Sequence, residues 1–248
     1  MKDKKPIIAV AQIKYFDLSK KNNVEKIKKY IRLAKEAGAD IVCFPESCVH
    51  KTKVLDLKHP FIVSIKEECK KHSIWCVISE DIMIKNKTYN LAILIDRCGK
   101  IKGFYKKINL YGDKTSAGKR IRVFKTDFAK IGLALCWDLA FPELFKKMKQ
   151  AGAEIIFCPS QWWYETKAHD QEHKEREIKL LESLIMARAF ENICYVALCN
   201  PVMDSKFQVS YSAIADPHRI LSKIVHKEGI ITAEINLKTL KKLHKIYR

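Results

Sequence analysis

The stretch KIGLALCWDLAFPELFKKMKQAG, residues 130–152, changes its hydrophobic pattern at Cys136. Before this cysteine comes an apolar run, Ile131 to Leu135, that is too short for a helix. After it, Pro142 and Glu143 stand where helices favour proline and an acidic side chain, and apolar residues then recur at helical spacing up to a closing glycine. The stretch therefore predicts a strand, a sharp turn and a helix, with one thiol at the carboxyl end of the strand.

This placement of Cys136 allows two interpretations. Open α/β sheets bind ligands beyond the carboxyl ends of their strands, so the thiol stands where a reactive group is useful. However, unreactive cysteines are among the most buried residues in proteins, and this chain has nine cysteines. Position alone therefore does not separate a nucleophile from a packed core residue.

The rest of the chain indicates one α/β domain. Its 248 residues, 48% of them hydrophobic, suffice for a sizeable core, and no linker rich in Pro, Gly or Ser interrupts them. We therefore predict a single domain over residues 1–248. Strand-like runs alternate with segments of helical period around an expected hairpin at 84–95, which predicts an α/β fold with a mixed sheet. The segments of helical period span 20–37, about 60–72, 142–151 and about 171–191.

Charge and hydropathy narrow the possible partners. The formal net charge is +19, but the lysines are dispersed at helical spacing, a pattern typical of solvated helix faces. Because no nucleic-acid-binding motif accompanies the charge, we predict no nucleic-acid partner. The apolar run Ile7 to Ala11 is too short for a signal peptide or a membrane span. We therefore predict a cytoplasmic protein without a membrane partner.

Cysteine and histidine spacing gives no sign of a metal site. No two of the nine cysteines form a C-x-x-C pair, so we expect reduced thiols rather than disulfides or a zinc ribbon. His169 and His173 stand four residues apart but lack the H-E-x-x-H pattern, and we interpret them as part of a polar helix face. Neither a metal nor an organic cofactor is predicted.

Two further predicted strands end in reactive side chains. The run Ile41 to Phe44 leads into Pro45 and Glu46, and a carboxylate delivered by a buried strand must be solvated, paired or functional. The segment GFYKKINLYGDK carries Lys106 and Lys107, which strand alternation places on opposite faces, so only one can point inward. A carboxylate, an ammonium and a thiol thus each follow an apolar strand.

Each of these three residues also has an ordinary interpretation. Glu46 could cap a segment or pair with a surface lysine. Lys107 could be one of many solvated lysines, and Cys136 could be core. Taken jointly, three apolar strands that end in a carboxylate, an ammonium and a thiol favour a catalytic set, because packing alone does not require that combination.

Three short motifs support the catalytic interpretation by their resemblance to a known family. The motifs are Phe44-Pro45-Glu46, Tyr105-Lys106-Lys107-Ile108-Asn109-Leu110, and Cys136-Trp137-Asp138 followed by Phe141-Pro142-Glu143-Leu144. In this order, and with supporting segments such as ARAFENICYVALCN and SAIADPHRIL, they resemble the nitrilase superfamily of carbon–nitrogen hydrolases. The resemblance implies a four-layer αββα sandwich of two mixed sheets with outer helices. It also implies association through the outer helices, as a homodimer or a higher homo-oligomer.

The resemblance assigns the catalytic roles to Glu46, Lys107 and Cys136. A free thiol attacks only as the thiolate, so it needs a base and a cationic neighbour at neutral pH, and Glu46 and Lys107 are residues of those types. The expected reaction is hydrolysis of a small linear amide or N-carbamoyl compound through a thioester, with no metal or cofactor. The alternative is a catalytically idle relative that acts as a binding or assembly module through its basic surface.

The chain also departs from the family pattern. The second glutamate that usually follows the lysine is missing, and Asp113 is the nearest carboxylate in the loop YGDKTSAGK. An ordinary turn residue beside Gly112 is the alternative interpretation of Asp113. Asn109, Ala140 and His218 replace a histidine, an arginine and a glycine that are usual in the family. Because of these departures, the resemblance predicts the substrate class less precisely than the reaction class.

The substrate class and the substrate-binding residues are predicted from the same motifs. The acid Asp138 after Cys136-Trp137 resembles amidase-type branches, so we expect amides to be better substrates than nitriles. Aromatic and amide side chains follow the predicted strand EIIFCPS at the same sheet edge, where substrate lining and ordinary aromatic core are both possible. The predicted substrate-binding residues are Asp113, Trp137, Gln161 and Trp162.

Overall fold

The computed structural model describes residues 5–16, 21–163, 173–203 and 207–247. Within these ranges the elements follow in the order β1 (Ile7–Gln12), α1 (Val24–Glu36), β2 (Ile41–Cys43), α2 (Pro60–His72), β3 (Trp75–Ile84), β4 (Lys87–Ile95), β5 (Ile101–Lys106), β6 (Val123–Lys125), β7 (Lys130–Leu133), a 3-10 turn (Cys136–Ala140), α3 (Pro142–Gln150), β8 (Ile155–Pro159), α4 (His173–Asn192), β9 (Tyr195–Cys199), β10 (Tyr211–Ala215), β11 (Ile220–Val225), β12 (Gly229–Glu234) and α5 (Leu237–Ile246).

The strands form two mixed sheets with the orders β12-β1-β2-β3-β4-β5 and β11-β10-β9-β8-β7-β6. In each sheet three adjacent strands are parallel, β1, β2 and β3 in the first and β7, β8 and β9 in the second, and every other neighbouring pair is antiparallel. Parallel strands buried on both faces require continuous apolar sequence, which is why β2, β8 and β9 are buried at every position.

The two sheets pack face to face, and helices cover their outer faces. Val10 and Val77 of the first sheet share a buried cluster with Leu133 and Phe157 of the second. Helices α1 and α2 bury their apolar faces on the outside of the first sheet, and α3 and α4 do so on the second. The predicted αββα sandwich is therefore confirmed.

Some predicted element bounds differ from the structure. Helix α1 begins at Val24 rather than at residue 20, because Asn22 and Asn23 precede it and asparagine favours caps over helix interiors. The Val24 N–H donates to Asn22 Oδ1 at 3.2 Å. Strands β6 and β11 were not predicted, since β6 has only three residues and β11 lacks a regular alternation.

The packing of the sheets brings the carboxyl ends of their parallel strands to one edge. The Glu46 N–H, beyond β2, donates to the Ser160 carbonyl beyond β8 at 3.2 Å. Strand β7 ends three residues before Cys136. The fold thus delivers the motif residues of both sheets to a common edge.

No helix in the described ranges is long and apolar enough to cross a membrane.

A close backbone approach at Gly118 ties the loop after β5 to the strand that precedes it. The Gly118 N–H donates to the Lys107 carbonyl at 2.7 Å, and a Cβ added at Gly118 would lie 2.2 Å from the Lys106 carbonyl oxygen. Because the obstacle is backbone, Gly118→Ala should lower the free energy of unfolding by ~3 kcal/mol, measured by denaturant titration. Gly112→Ala is the matched control: its added Cβ meets nothing within 4 Å, and only its left-handed conformation (φ +66°) should cost ~1 kcal/mol. Equal destabilisation of the two variants would contradict the prediction.

Candidate active site

The thiol of Cys136 projects from a strained turn between β7 and α3. Cys136 opens the 3-10 turn Cys136–Ala140 with a φ of +44°, a left-handed conformation that costs a non-glycine residue ~1–2 kcal/mol. The residue is half-buried, whereas Leu135 before it is fully buried. The predicted strand, sharp turn and helix are therefore present, and the turn itself is a short 3-10 helix.

Asp138 holds this turn against the loop that carries the lysine. Its Oδ2 accepts hydrogen bonds from Tyr105 Oη at 2.7 Å and from the Leu135 N–H at 3.0 Å. Its Oδ1 accepts two from Asn109, through the backbone N–H and the side-chain Nδ2, both at 2.9 Å. Burial raises the pKa of Asp138, and the hydrogen bonds from Asn109, Tyr105 and Leu135 oppose that rise. Asp138 thus links the cysteine turn to β5 and its following loop.

Lys107 is buried between two carboxylates. Its Nζ lies 2.9 Å from Glu46 Oε1 and 3.0 Å from Asp113 Oδ2, and its side chain is only 3% exposed. Lys106 points to the opposite face, where its Nζ stands 3.4 Å from the centre of the Tyr89 ring in a separate surface cleft. The alternation expected from the sequence is therefore seen at this strand end, with Lys107 on the inner side.

The carboxylate of Glu46 is held by three donors. Oε1 accepts from Asn90 Nδ2 at 2.7 Å as well as from Lys107, and Oε2 accepts from the Gln161 N–H at 3.1 Å. Asn90 is itself positioned by Ser79, whose hydroxyl donates to Asn90 Oδ1 at 3.1 Å. Glu46 is 4% exposed, so its orientation is set by protein groups rather than by solvent.

Burial and charge control the protonation of the thiol and the ammonium. Burial, and then the negative charge of Glu46, raise the pKa of Cys136 to about 12, although Lys107 acts to lower it. Burial acts to lower the pKa of Lys107, but Glu46, Cys136 and Asp113 outweigh that effect, so its pKa is raised. At neutral pH the resting site therefore holds a neutral thiol beside a charged lysine, and the thiol needs a base when it attacks.

A cavity of about 280 Å³ brings the predicted residues together. Its described lining includes Glu46, Lys107 and Cys136, together with all four predicted substrate-binding residues, Asp113, Trp137, Gln161 and Trp162. The indole of Trp162 donates to Glu177 Oε2 at 2.9 Å, and its ring also belongs to the buried core. Trp162 thus lines the cavity and also belongs to the core, and its contact with a substrate stays a prediction.

A larger outer cavity of about 800 Å³ adjoins the catalytic one. The two cavities share Ser47, Asp81 and Gln161 in their linings, so they meet at these three residues. Tyr15 stands at this junction: its hydroxyl donates to the Ser47 carbonyl and lies 3.3 Å from Gln161 Oε1.

Several residues around the site were not identified from the sequence. They are Tyr15, Asp81, Asn90, Tyr111 and Glu177. For Asn90 a signal was available: a polar residue precedes the apolar run LAILI of β4, where a hairpin partner was already expected. His169 lies outside the described residues, as does the side chain of His173, so their polar helix face stays a prediction.

Comparison with known proteins identifies the class. The family described as "Carbon-nitrogen hydrolase" matches residues 7–245, and the chain belongs to this family. The three motifs therefore predicted the family correctly.

Individual relatives agree with this assignment. The chain is 33% identical over 183 residues to the 2-oxoglutaramate amidase of Bacillus subtilis, a match that covers 70% of this chain and 66% of that protein. It is 29% identical over 184 residues to the N-carbamoylputrescine amidase of Solanum tuberosum, covering 64% of this chain and 60% of that protein. A carbon–nitrogen hydrolase from Helicobacter pylori G27 has the same fold, with a TM-score of 0.86 at 20% identity over 98% of this chain and 92% of that chain.

The electrostatics of the site predict opposite effects of Glu46→Gln on turnover and on thiol acidity. Loss of the carboxylate removes the predicted base, so turnover should be abolished. It also removes the negative charge that raises the pKa of Cys136, so that pKa should fall below about 12. The measurement is the pH dependence of alkylation at Cys136 by iodoacetamide, read by peptide mass spectrometry. The exposed Glu36→Gln on α1 removes the same charge and should leave the curve unchanged; an unchanged or alkaline-shifted curve for Glu46→Gln would contradict the prediction.

The two adjacent lysines should differ sharply in their effect on catalysis. Lys107→Ala removes the buried ammonium from the cavity and should lower kcat by roughly a hundredfold or more, as expected for loss of an oxyanion donor. Lys106→Ala, the matched control, loses only a surface contact with Tyr89 and should change kcat less than about threefold. Steady-state kinetics decide the ranking, with circular dichroism to establish that both variants are folded. The reverse ranking would show that the register is wrong.

Proposed function

We propose that this protein hydrolyses a small linear amide or N-carbamoyl compound with Cys136 as the nucleophile, Glu46 as the general base and Lys107 as the electrostatic stabiliser. The coarse activity, amidase-type hydrolysis of a C–N bond, follows from the family and its amidase relatives. The two relatives, a 2-oxoglutaramate amidase and an N-carbamoylputrescine amidase, support the finer substrate class.

The acylation step uses the contacts of the resting site. Glu46 accepts the thiol proton as Cys136 Sγ attacks the carbonyl carbon of the substrate, and a C–S bond forms. Negative charge then develops on the substrate oxygen. The Lys107 ammonium and a backbone N–H of the 3-10 turn, whose first N–H groups have no partner within the turn, stabilise this oxyanion. The protonated Glu46 gives its proton to the leaving nitrogen, the C–N bond breaks, and ammonia or an amine departs from a thioester.

The deacylation step returns the enzyme to its starting state. Glu46 accepts a proton from water, whose oxygen attacks the thioester carbon, and the C–S bond breaks. Glu46 then gives this proton to the departing Cys136 Sγ, so the products are a free acid and the Cys136 thiol. Asp113 contributes by holding Lys107 charged and oriented through the 3.0 Å contact, which is the part that the missing second glutamate would otherwise take.

One observation carries the proposal. Three side chains from separate strand ends, two of them from one sheet and one from the other, line a single cavity, and Lys107 and Glu46 are already in hydrogen-bond contact there at 2.9 Å. Burying an ammonium and two carboxylates costs several kcal/mol in desolvation, so packing alone does not explain the arrangement.

The decisive experiment combines turnover with detection of the thioester. Ammonia release from a panel of linear amides, each paired with its matching nitrile and N-carbamoyl analogue, should show activity on amides or N-carbamoyl compounds above that on nitriles. Acid quenching during turnover should trap the thioester. The intact protein should then be heavier by the mass of the acyl group, and peptide mapping should place this mass on the peptide that contains Cys136. Cys136→Ala should abolish both signals and remain folded, because only a small side chain is lost.

The matched control is Cys98→Ala, which removes an exposed thiol and should keep full activity. An acyl adduct on another cysteine, with Cys136 free, would contradict the assigned nucleophile. Absence of turnover and adduct across the panel would instead favour the idle relative that binds through its basic surface.

A further inference from the structure

Asp81 is a charged residue of the catalytic cavity whose carboxylate has no partner. Among the residues that the structure describes, no hydrogen bond or ion pair reaches this carboxylate. Its backbone is anchored instead: the Asp81 N–H donates to Glu80 Oε1 at 3.0 Å, and its carbonyl accepts from the Leu55 N–H at 2.9 Å. The half-buried side chain lines both the catalytic and the outer cavity, so it faces the space that a substrate crosses.

The sheet register places Asp81 beside the catalytic carboxylate. Asp81 on β3 stands directly opposite Asn90 on β4, and opposite residues of an antiparallel pair share one face of the sheet. Asn90 on that face donates to Glu46 at 2.7 Å. A charged group bound by Asp81 would therefore lie near the reacting atoms, within the length of a small substrate.

The charges of the cavity do not balance around Lys107. Glu46 and Asp113 share this ammonium, the sole cation among the described lining residues, and Asp81 adds a negative charge without a counter-ion. Burial, and then the negative charges of Glu46 and Asp113, raise the pKa of Asp81 to about 6, so it is largely ionised at neutral pH. A substrate carboxylate would add like charge here, whereas a substrate cation would supply the missing counter-ion.

An aromatic wall on the same cavity favours the same sign of charge. The ring centroids of Tyr111 and Trp137 lie 4.8 Å apart, and those of Trp137 and Trp162 lie 5.6 Å apart. Aromatic faces attract ammonium and guanidinium groups through the ring quadrupole and offer nothing comparable to a carboxylate.

We propose that Asp81 is a specificity-determining residue that selects amide or N-carbamoyl substrates carrying a positively charged group, such as the end of an amino-alkyl chain. This inference rests on the proposed function, because it assumes that the cavity binds an amide for hydrolysis. The proposal distinguishes between the two relatives by the chemistry of their substrates. The 2-oxoglutaramate amidase is named for the amide of an oxo acid, and the N-carbamoylputrescine amidase is named for a carbamoylated amine.

The basic residues of the outer cavity do not reverse this preference. Lys14, Lys51 and Lys53 line the outer cavity and are exposed to solvent, where their charges are screened. His50 Nδ1 accepts hydrogen bonds from the Thr52 and Lys53 N–H groups, and burial lowers the pKa of His50, so it is neutral at pH 7. The outer cavity therefore offers a negative group little that would offset its repulsion from the carboxylates of the inner cavity.

The test uses three linear amides of equal length that end in an ammonium, a methyl or a carboxylate group. For the wild type, kcat/KM should fall in that order, with about a tenfold gap between the first two, equivalent to ~1.4 kcal/mol. In Asp81→Asn the ratio of kcat/KM for the ammonium amide to that for the methyl amide should fall about tenfold, mainly through KM. The surface variant Glu36→Gln removes the same charge and should keep the wild-type ratio.

A pH series gives a second readout. The wild-type ratio should fall as the pH drops through about 6, since Asp81 becomes neutral while the substrate stays charged, and this change should be absent in Asp81→Asn. The titratable and charged groups that flank Asp81 or line the two cavities with it are Glu46, Glu80, Lys107, Asp113, Cys136, Glu177, Tyr15, Tyr111, Lys14, His50, Lys51 and Lys53. Because all of these remain in the variant, the difference between the two profiles isolates Asp81.

The outcomes separate this inference from the proposed function. The inference would be overturned if the carboxylate amide were hydrolysed fastest, or if Asp81→Asn left the ratio of kcat/KM for the ammonium and methyl amides unchanged. Either result would leave the proposed hydrolase activity standing. If the wild type hydrolyses neither these three amides nor any member of the amide and N-carbamoyl panel, the proposed function fails, and calorimetric binding of the three amides to Cys136→Ala still decides the charge preference. Asp81→Ser serves as the second variant if Asp81→Asn does not fold, and the wild-type order by itself remains decisive.

Discussion

The buried ammonium of Lys107 is the interaction on which the rest of the site depends. An ammonium that is 3% exposed loses most of its hydration, and only close carboxylates compensate for that loss. Glu46 and Asp113 supply them, one from the end of β2 and the other from the loop after β5. Removing Lys107 would leave two buried carboxylates without their shared cation, so the ammonium also holds together the loops that carry Glu46 and Asp113.

Burial and the nearby carboxylate of Glu46 explain why the thiol of Cys136 rests in its neutral form. Glu46 stands near enough to disfavour the thiolate. In the proposed mechanism the same carboxylate accepts the thiol proton, which would couple activation to the attack on a substrate. The left-handed conformations of Ser47 (φ +48°) and Cys136 (φ +44°) place strain directly at the two strand ends. Asp138, with its four donors, holds the cysteine turn in that conformation without entering the chemistry itself.

The protein separates charge between its surface and its interior. A net charge of +19 lies mostly on dispersed lysines, while the described catalytic cavity holds several carboxylates around one lysine. The surface charge therefore says little about the ligand, because solvent screens it, whereas charges in a small cavity act at short range. Association through the outer helices, a cytoplasmic location and a single domain over residues 1–248 stay predictions of the sequence.

The sequence by itself determined the class of fold, the family and the residues at the strand ends. These properties reside in local patterns, such as the change of period at Cys136, which a short window of residues carries. Tertiary structure alone decided that Asn90 supports Glu46 across 44 residues, that Asp81 lies on the same face, and that Asp113 reaches Lys107. Those contacts depend on strand register and on the packing of two sheets, and a shift of one residue in register would turn each side chain to the opposite face. No local pattern encodes the strand register, because the register is set by the burial of apolar side chains throughout the sandwich.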